Sequence, residues 1–159
     1  MNGARSSLVY SNGTSEHYTY NTSQLANTPE ELRVERGELK SIVGEKSFEF
    51  AVRIVKLYRY LCDEKREYVL SKQLLRSGTS IGANVREALH GQSKKDFLSK
   101  IGIALKEANE AQYWIELLYA CEYLNEEHRN RMWADCEELI CLLVSIAKTT
   151  KENIANKQR

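Results

Sequence analysis

The sequence contains little that would interrupt a helix. Proline occurs once, at Pro29, and glycine is scarce after Gly44. Because these two residue types are the strongest helix breakers, long helices can run through most of the chain. We therefore expect an all-α protein whose 159 residues form one domain with a sizeable hydrophobic core.

Signals for membrane insertion and export are also absent. No stretch approaches the roughly 18 uninterrupted apolar residues that a membrane span needs. Residues 1–20 hold neither a cationic segment followed by an apolar run nor a cleavage site. The cysteines lack Cys-x-x-Cys spacing and lie in apolar helical patterns, which is typical of reduced core thiols in a cytoplasmic protein. They are Cys62, Cys121, Cys136 and Cys141.

The sequence carries no complete catalytic or metal-binding motif. Glu87-x-x-His90 matches one half of a di-metal helical motif, but neither His17 nor His128 has a glutamate three residues before it. A single pair of this kind at a helix end is typical of a solvated terminus. No phosphate-binding loop, His-Glu-x-x-His motif or nucleophile elbow occurs. We therefore expect a non-enzymatic protein without a metal or a cofactor.

Residues 1–45 differ in character from the rest of the chain. The first 27 are rich in Ser, Thr and Asn and show no sustained hydrophobic period. Thr28-Pro29-Glu30-Glu31 then combines a capping residue, proline at the first helical position and a glutamate three residues after the cap. This pattern predicts a short helix to about Lys40, which Gly37 weakens. We interpret residues 1–45 as a flexible or partly helical N-terminal extension.

The first long helix is predicted to begin at about Lys46. It is apolar over more than one face, so we expect it to touch more than its intramolecular neighbours. Its two apolar stripes are Phe48, Val52, Val55, Tyr58 and Cys62, and Phe50, Ile54, Leu57 and Leu61.

Three further helices follow. The second runs from about Tyr68 to Leu89, after which Gly91 is predicted to take the left-handed conformation that ends a helix. The third and fourth begin at the N-caps Ser93 and Asn125. Heptad spacing in both indicates shallow crossing angles. Residues 46–155 are thus predicted to form an antiparallel up-down four-helix bundle.

Within the second helix, residues 76–88 combine helical spacing with small and polar side chains. Gly78 and Gly82 each cost about 1 kcal/mol of helix propensity, which indicates that another helix approaches closely. Asn84 lies on the predicted seam, where a single asparagine usually fixes helix register. In the third helix, Tyr113 and Trp114 are either an extended core or a subunit contact. The predicted seam is Leu70, Leu74, Ser77, Ile81, Asn84 and Ala88.

The net charge is only +1, but it is unevenly distributed. Residues 46–90 carry nine Lys/Arg against five Asp/Glu, and residues 107–145 carry two against nine. Six cations cluster around the second helix and the turn after it. They are suited to phosphates through salt-dependent, largely sequence-independent contacts, although a solvated helix face has the same composition. The six are Lys72, Arg76, Arg86, Lys94, Lys95 and Lys100.

Three segments carry a resemblance to a known family. They read Ser77-x-x-Ser80-Ile81-Gly82-Ala83-Asn84-x-x-Glu87-Ala88, then Ser93-Lys94-Lys95-Asp96-Phe97, then Ala104-x-x-x-Ala108-x-Glu110-x-x-Tyr113-Trp114-Ile115-Glu116-Leu117-Leu118. Over about residues 46–150, this pattern resembles the four-helix-bundle proteins encoded in bacterial 23S rRNA intervening sequences. The same family includes the accessory variability determinant proteins of diversity-generating retroelements.

The resemblance implies a non-enzymatic homopentamer with a basic surface that associates with RNA or DNA and with a reverse transcriptase. Residues 1–45 lie outside the family pattern, and the near-neutral net charge departs from it. We expect a homo-oligomeric, nucleic-acid-associated accessory scaffold in which the basic second helix meets the acidic third and fourth helices of the next subunit. The alternative is a protein-binding module that docks a partner enzyme without touching nucleic acid.

Overall fold

The computed structural model describes the backbone of residues 31–156 and the side chains of residues 42–156. This part of the chain forms four helices and no strand: α1 (Glu31–Asp63), α2 (Leu70–Leu89), α3 (Lys94–Ala120) and α4 (Glu126–Ala155). The predicted all-α bundle is confirmed. The flexible segment predicted for residues 1–27 lies outside the described residues.

The start of the bundle differs from the prediction. The prediction of a short helix to about Lys40 and a separate helix from Lys46 is wrong. Instead, α1 is continuous and passes through Gly37 and Gly44. A glycine costs about 1 kcal/mol in a helix interior. The Glu, Leu, Lys and Arg residues that surround Gly37 favour the helix and outweigh this cost.

The helices pack in chain order around one core, and α1 closes the bundle against α4. Lys46 near the start of the described α1 side chains pairs with Glu138 near the middle of α4, at 2.8 Å. Tyr60 near the end of α1 meets His128 near the start of α4, with ring centroids 5.1 Å apart. This reversed order shows that α1 and α4 are antiparallel. The buried core draws its side chains from all four helices.

The buried face of α2 is shifted from the predicted seam. Asn84 and Leu70 are only half-buried, whereas Val85 is fully buried. The reason is that this face turns toward α1, on the side where Gly78 lies. Asn84 donates to the Ser80 carbonyl of its own helix at 2.9 Å, so this bond does not link two helices. The buried residues of α2 are Ser71, Leu74, Ser77, Gly78, Ile81, Val85 and Ala88.

Both predicted N-caps are confirmed. The Ser93 hydroxyl accepts a hydrogen bond from the Asp96 N–H at 3.1 Å, and the Asn125 side chain accepts from the His128 N–H at 2.8 Å. The prediction that Gly91 takes the left-handed conformation is wrong, because no described glycine has a positive φ. Glycine is needed there for space instead, since a Cβ would lie 3.0 Å from the Ala88 carbonyl oxygen.

Two described residues have a positive φ: Arg66, in the turn after α1, at 55°, and Glu122, directly after the end of α3, at 62°. The Glu122 N–H donates to the Tyr119 carbonyl, and the Tyr123 N–H donates to the Leu118 carbonyl. These two bonds are the pattern of a Schellman motif, whose left-handed position favours glycine.

Glu122→Gly is therefore expected to raise the free energy of unfolding by about 0.5 to 1 kcal/mol. Glycine relieves the left-handed strain of about 1 to 2 kcal/mol and loses part of that gain to its larger unfolded-state entropy. Urea denaturation measures the change. The control is Glu49→Gly at an exposed position inside α1, which should lower stability by about 1 kcal/mol. If both variants were equally destabilised, the backbone at Glu122 would not be strained.

Candidate nucleic-acid interface

Three of the predicted cations share the outward face of α2. Lys72, Arg76 and Arg86 are exposed, and Thr79 and Ala83 continue the same face between them, in alternating steps of four and three residues. None of the three cations forms an ion pair with a described residue. Their charges therefore face solvent without an acidic partner in the part of the chain that the structure describes.

Two more cations, Lys94 and Lys95, are the first residues of α3 and are also exposed. The N-terminus of a helix carries a partial positive charge, so two lysines there add to the local positive potential. Asp96 offsets part of it, and its carboxylate accepts a hydrogen bond from the Gln92 N–H at 3.3 Å. Neither lysine pairs with an acid among the described residues, so a phosphate would be a favourable neighbour.

Lys100 behaves differently from the other predicted cations. Its Nζ lies 2.5 Å from Oε2 of Glu87 on α2. The hydrogen bond to Glu87 and the attraction of its charge raise the pKa of Lys100. Because this charge has an internal partner, five of the six predicted cations remain without one among the described residues. We call these five residues the basic strip: Lys72, Arg76, Arg86, Lys94 and Lys95.

Three of the six acids of α4 form ion pairs, two with α1 and one within α4 itself. Asp135 pairs with Arg53 of α1, and Glu138 pairs with Lys46 of α1. On the α3 side, the Arg129 guanidinium donates to Glu116 at 2.8 Å and lies over the Trp133 ring. The acidic segment predicted from the sequence therefore offers a neighbouring molecule less free negative charge than its composition indicates.

The two glycines of α2 lie directly under α1. A Cβ on Gly78 would be 2.7 Å from Cγ1 of Ile54, and a Cβ on Gly82 would be 3.2 Å from the Ser47 carbonyl oxygen. A Cβ on Gly78 would force Ile54 to move, and a Cβ on Gly82 would make a tight contact with the α1 backbone, so both glycines favour the close helix approach.

The outer side of the α1–α2 pair forms an apolar groove of about 550 Å³. Phe48 forms one wall and remains 66% exposed, and Gly82 and Ala83 leave the floor open because no large side chain fills it. Along α1 the groove continues as a shallower depression of about 310 Å³ that reaches Arg59. The two-striped sequence of α1 pointed to such a surface. The apolar groove is lined chiefly by Phe48, Ala51, Gly82, Ala83, Arg86 and Leu89.

Tyr113 and Trp114, which the sequence placed in either an extended core or a subunit contact, differ in their burial. Their rings contact edge to face, with centroids 4.9 Å apart. Trp114 packs against the hydrophobic core and donates its indole N–H to Glu110 at 3.1 Å. Tyr113 is 58% exposed. Trp114 thus belongs to an extended core, and Tyr113 is held against it on the surface of α3.

The described residues contain no group of three or more His, Cys, Asp and Glu side chains arranged to hold a metal ion. In the one Glu-x-x-His pair, Glu87 is engaged by Lys100 and His90 is exposed at the end of α2. Among the helices that the structure describes, none is long and apolar enough to cross a bilayer.

Sequence reasoning missed Glu67, which directly precedes the predicted start of the second helix at about Tyr68. Glu67 is only 7% exposed, and its carboxylate accepts hydrogen bonds from the N–H groups of Val69, Leu70 and Ser71, at 3.0, 2.8 and 2.6 Å. It therefore caps the first turn of α2. A glutamate three residues before the first helical residue was the available signal, but Ser, Thr, Asp and Asn dominate at caps.

Comparison with known proteins agrees with this architecture. The chain is similar to a protein with unknown function from the S23 ribosomal protein family, from Bacteroides thetaiotaomicron VPI-5482. The crystal structure of that protein, at 1.70 Å resolution, matches with a TM-score of 0.69, and the two sequences are 55% identical. The match covers 69% of this chain and 98% of that chain. No curated protein matches the sequence. The sequence model of the 23S rRNA-intervening sequence proteins matches residues 40–145. The chain belongs to the 23S rRNA-intervening sequence protein family.

Proposed function

We propose that this protein is a cytosolic, non-enzymatic, homo-oligomeric scaffold that associates with RNA or DNA through the basic strip. The observation that carries the proposal is the distribution of ion pairs. Five exposed cations on α2 and the start of α3 have no acidic partner among the described residues, whereas Asp135, Glu138 and Glu116 are paired. An unpaired basic surface binds phosphates by releasing their counterions.

Membership of the family also supports an association with nucleic acid, because the family's name ties its members to intervening sequences in 23S rRNA. We further propose the homopentamer and the reverse-transcriptase partner that the likeness to retroelement accessory proteins implies. Fold membership alone does not carry a function, so these two finer proposals depend on the experiments below.

Fluorescence anisotropy with a labelled RNA duplex and a labelled DNA duplex tests the basic strip. Five phosphate contacts predict that affinity falls roughly 500-fold between 50 and 200 mM salt. Replacing Lys94 and Lys95 together with glutamate is expected to weaken binding to both duplexes and to reduce the salt slope by about two.

The control replaces Lys65 and Arg131 with glutamate. It changes the net charge by the same amount at exposed positions near the opposite end of the bundle, and it should leave binding within about twofold if the contact is local. No binding at 50 mM salt, or the same loss in both variants, would overturn the proposal.

The apolar groove favours the second candidate, a protein-binding module without nucleic-acid contact. Phe48 and Val52 are exposed on α1, and exposed apolar patches with a polar rim mark protein interaction sites. This candidate predicts that a purified partner enzyme binds in the absence of nucleic acid and that Phe48→Asp abolishes this binding, while duplex affinity is absent at low salt.

A further inference from the structure

The apolar groove has features of a surface that another molecule covers. The side chain of Phe48 projects from one wall, and exposed Leu89 lies at the end of α2. Ala51, Gly82 and Ala83 make the floor shallow and apolar. A helix face with a protruding aromatic side chain fits such a surface, because aromatic anchors in apolar depressions dominate binding energy.

Cations surround this groove on both helices. Arg86 lines the α2 side of the groove, and exposed Arg76 lies further along the same face of α2. Lys56 and Arg59 line the continuation of the groove along α1. None of the four forms an ion pair with a described residue. Glu45, which also lines the groove, and Glu49 are the exposed acids of α1 nearby, so the four cations exceed the acids by two and the rim as a whole is basic. The occupant is therefore expected to be apolar at its centre and acidic at its edge.

The outward face of α3 in the same chain has that composition. Tyr113 and Ile103 are exposed apolar side chains, and Trp114 supports Tyr113 from below. Glu107 and Glu110 lie between them on the helix and form no ion pair with a described residue. Lys106 is also exposed on α3, which leaves the acids in excess by one charge. Asp135 and Glu138 of α4 are paired with α1, whereas Glu107 and Glu110 have no such partner among the described residues, so this face of α3 offers unpaired acids beside exposed apolar side chains.

We propose that the apolar groove of one copy binds the outward α3 face of a second copy, with Tyr113 of one meeting Phe48 of the other and Glu107 and Glu110 facing Arg76 and Arg86. The inference rests on the homo-oligomer of the proposed function and identifies its interface. Two different faces meet, so the contact is heterologous and repeats into a ring or a filament. Lys72, Lys94 and Lys95 remain free for phosphates, so in the assembled protein the affinity is expected to fall about 40-fold between 50 and 200 mM salt, and the five-contact value applies to the isolated subunit.

A mixing experiment tests the two faces. Phe48→Asp removes the groove wall and Tyr113→Asp removes its occupant, and both side chains are mostly exposed, so each variant should keep its fold by circular dichroism. With size-exclusion chromatography and light scattering, the wild type is expected to be larger than a monomer and each variant to be a monomer of 18.3 kDa. Mixed at equal concentration, the two variants should form a heterodimer of twice this mass, because one intact groove and one intact α3 face remain.

The control is Val69→Asp, which places the same charge at an exposed valine at the far end of α2 and should assemble like the wild type. A monomeric wild type would overturn the interface and the homo-oligomer together, whereas duplex binding is measured separately. An assembled wild type whose two variants do not combine would overturn this interface alone. If Tyr113→Asp stays assembled while Phe48→Asp does not, the groove binds another surface and the proposal is wrong.

Discussion

Glu67→Ala is expected to lower the free energy of unfolding by about 2 to 3 kcal/mol. The buried carboxylate accepts hydrogen bonds from three backbone N–H groups at the start of α2, and hydrogen bonds to charged groups contribute about 1.5 to 3 kcal/mol when one partner is removed. Loss of a helix cap alone costs about 0.5 to 2 kcal/mol. Urea denaturation at pH 7 measures the effect.

The matched control is Glu64→Ala, which removes the same charge from an exposed position in the same turn. Surface substitutions of this kind usually change stability by less than about 0.5 kcal/mol. Similar losses in the two variants would mean that net charge, and not the cap, explains the effect of Glu67.

The cap also predicts a pH dependence. Burial alone would raise the pKa of Glu67, but the hydrogen bonds from Leu70, Ser71 and Val69 outweigh it, so the pKa is lowered from its ordinary value of 4.5. A carboxyl group whose folded pKa is below its unfolded pKa contributes its full stability above the unfolded value and loses it as pH falls through the folded value. The stability difference between wild type and Glu67→Gln should therefore be largest above about pH 5 and shrink below pH 4.5. A difference that is constant from pH 7 to pH 3 would contradict a charged cap.

Gly78→Ala is expected to destabilise the bundle by about 1 to 3 kcal/mol. The added Cβ would lie 2.7 Å from Cγ1, 2.8 Å from Cδ1 and 3.0 Å from Cγ2 of Ile54. Ile54 is fully buried and β-branched, so it cannot turn aside within a packed core. The roughly 1 kcal/mol gained in helix propensity offsets only part of this cost.

Gly102→Ala on α3 is the control, because nothing lies within 4 Å of the added Cβ. The same substitution should there raise stability by about 1 kcal/mol, so the two variants are expected to differ in sign. In an Ile54→Ala background, Gly78→Ala should lose its penalty, since the clashing atoms are gone. Gly78→Ala that stabilises the wild-type protein as Gly102→Ala does would show that α1 and α2 are not closely packed.

Helix identity and most helix ends could be predicted because they depend on local chemistry. Ser93 and Asn125 cap their helices through side-chain bonds to residues three positions later, an interaction that the sequence shows directly. The helix ends that were not predicted depend on contacts with neighbouring residues or on backbone conformation. The end of α3 takes its left-handed residue from Glu122, although nothing in its residue type favours that conformation.

The candidate site was only partly predictable. All six cations could be named from the sequence, but Lys100 is neutralised by Glu87 across the α2–α3 contact, a pairing that depends on helix rotation. Likewise, both apolar stripes of α1 were visible, and packing decided that Phe50 and Ile54 are buried while Phe48 stays exposed.

The sequence by itself determined four amphipathic helices, two of their caps and the family to which they belong, because hydrophobic period and capping act within a few residues along the chain. Tertiary structure alone decided which acids and cations remain unpaired, that Glu67 is a buried cap, and that the groove beside Phe48 stays open. These properties arise from side chains that are distant in sequence and meet only when the helices pack, so their free energies depend on neighbours that local pattern does not specify.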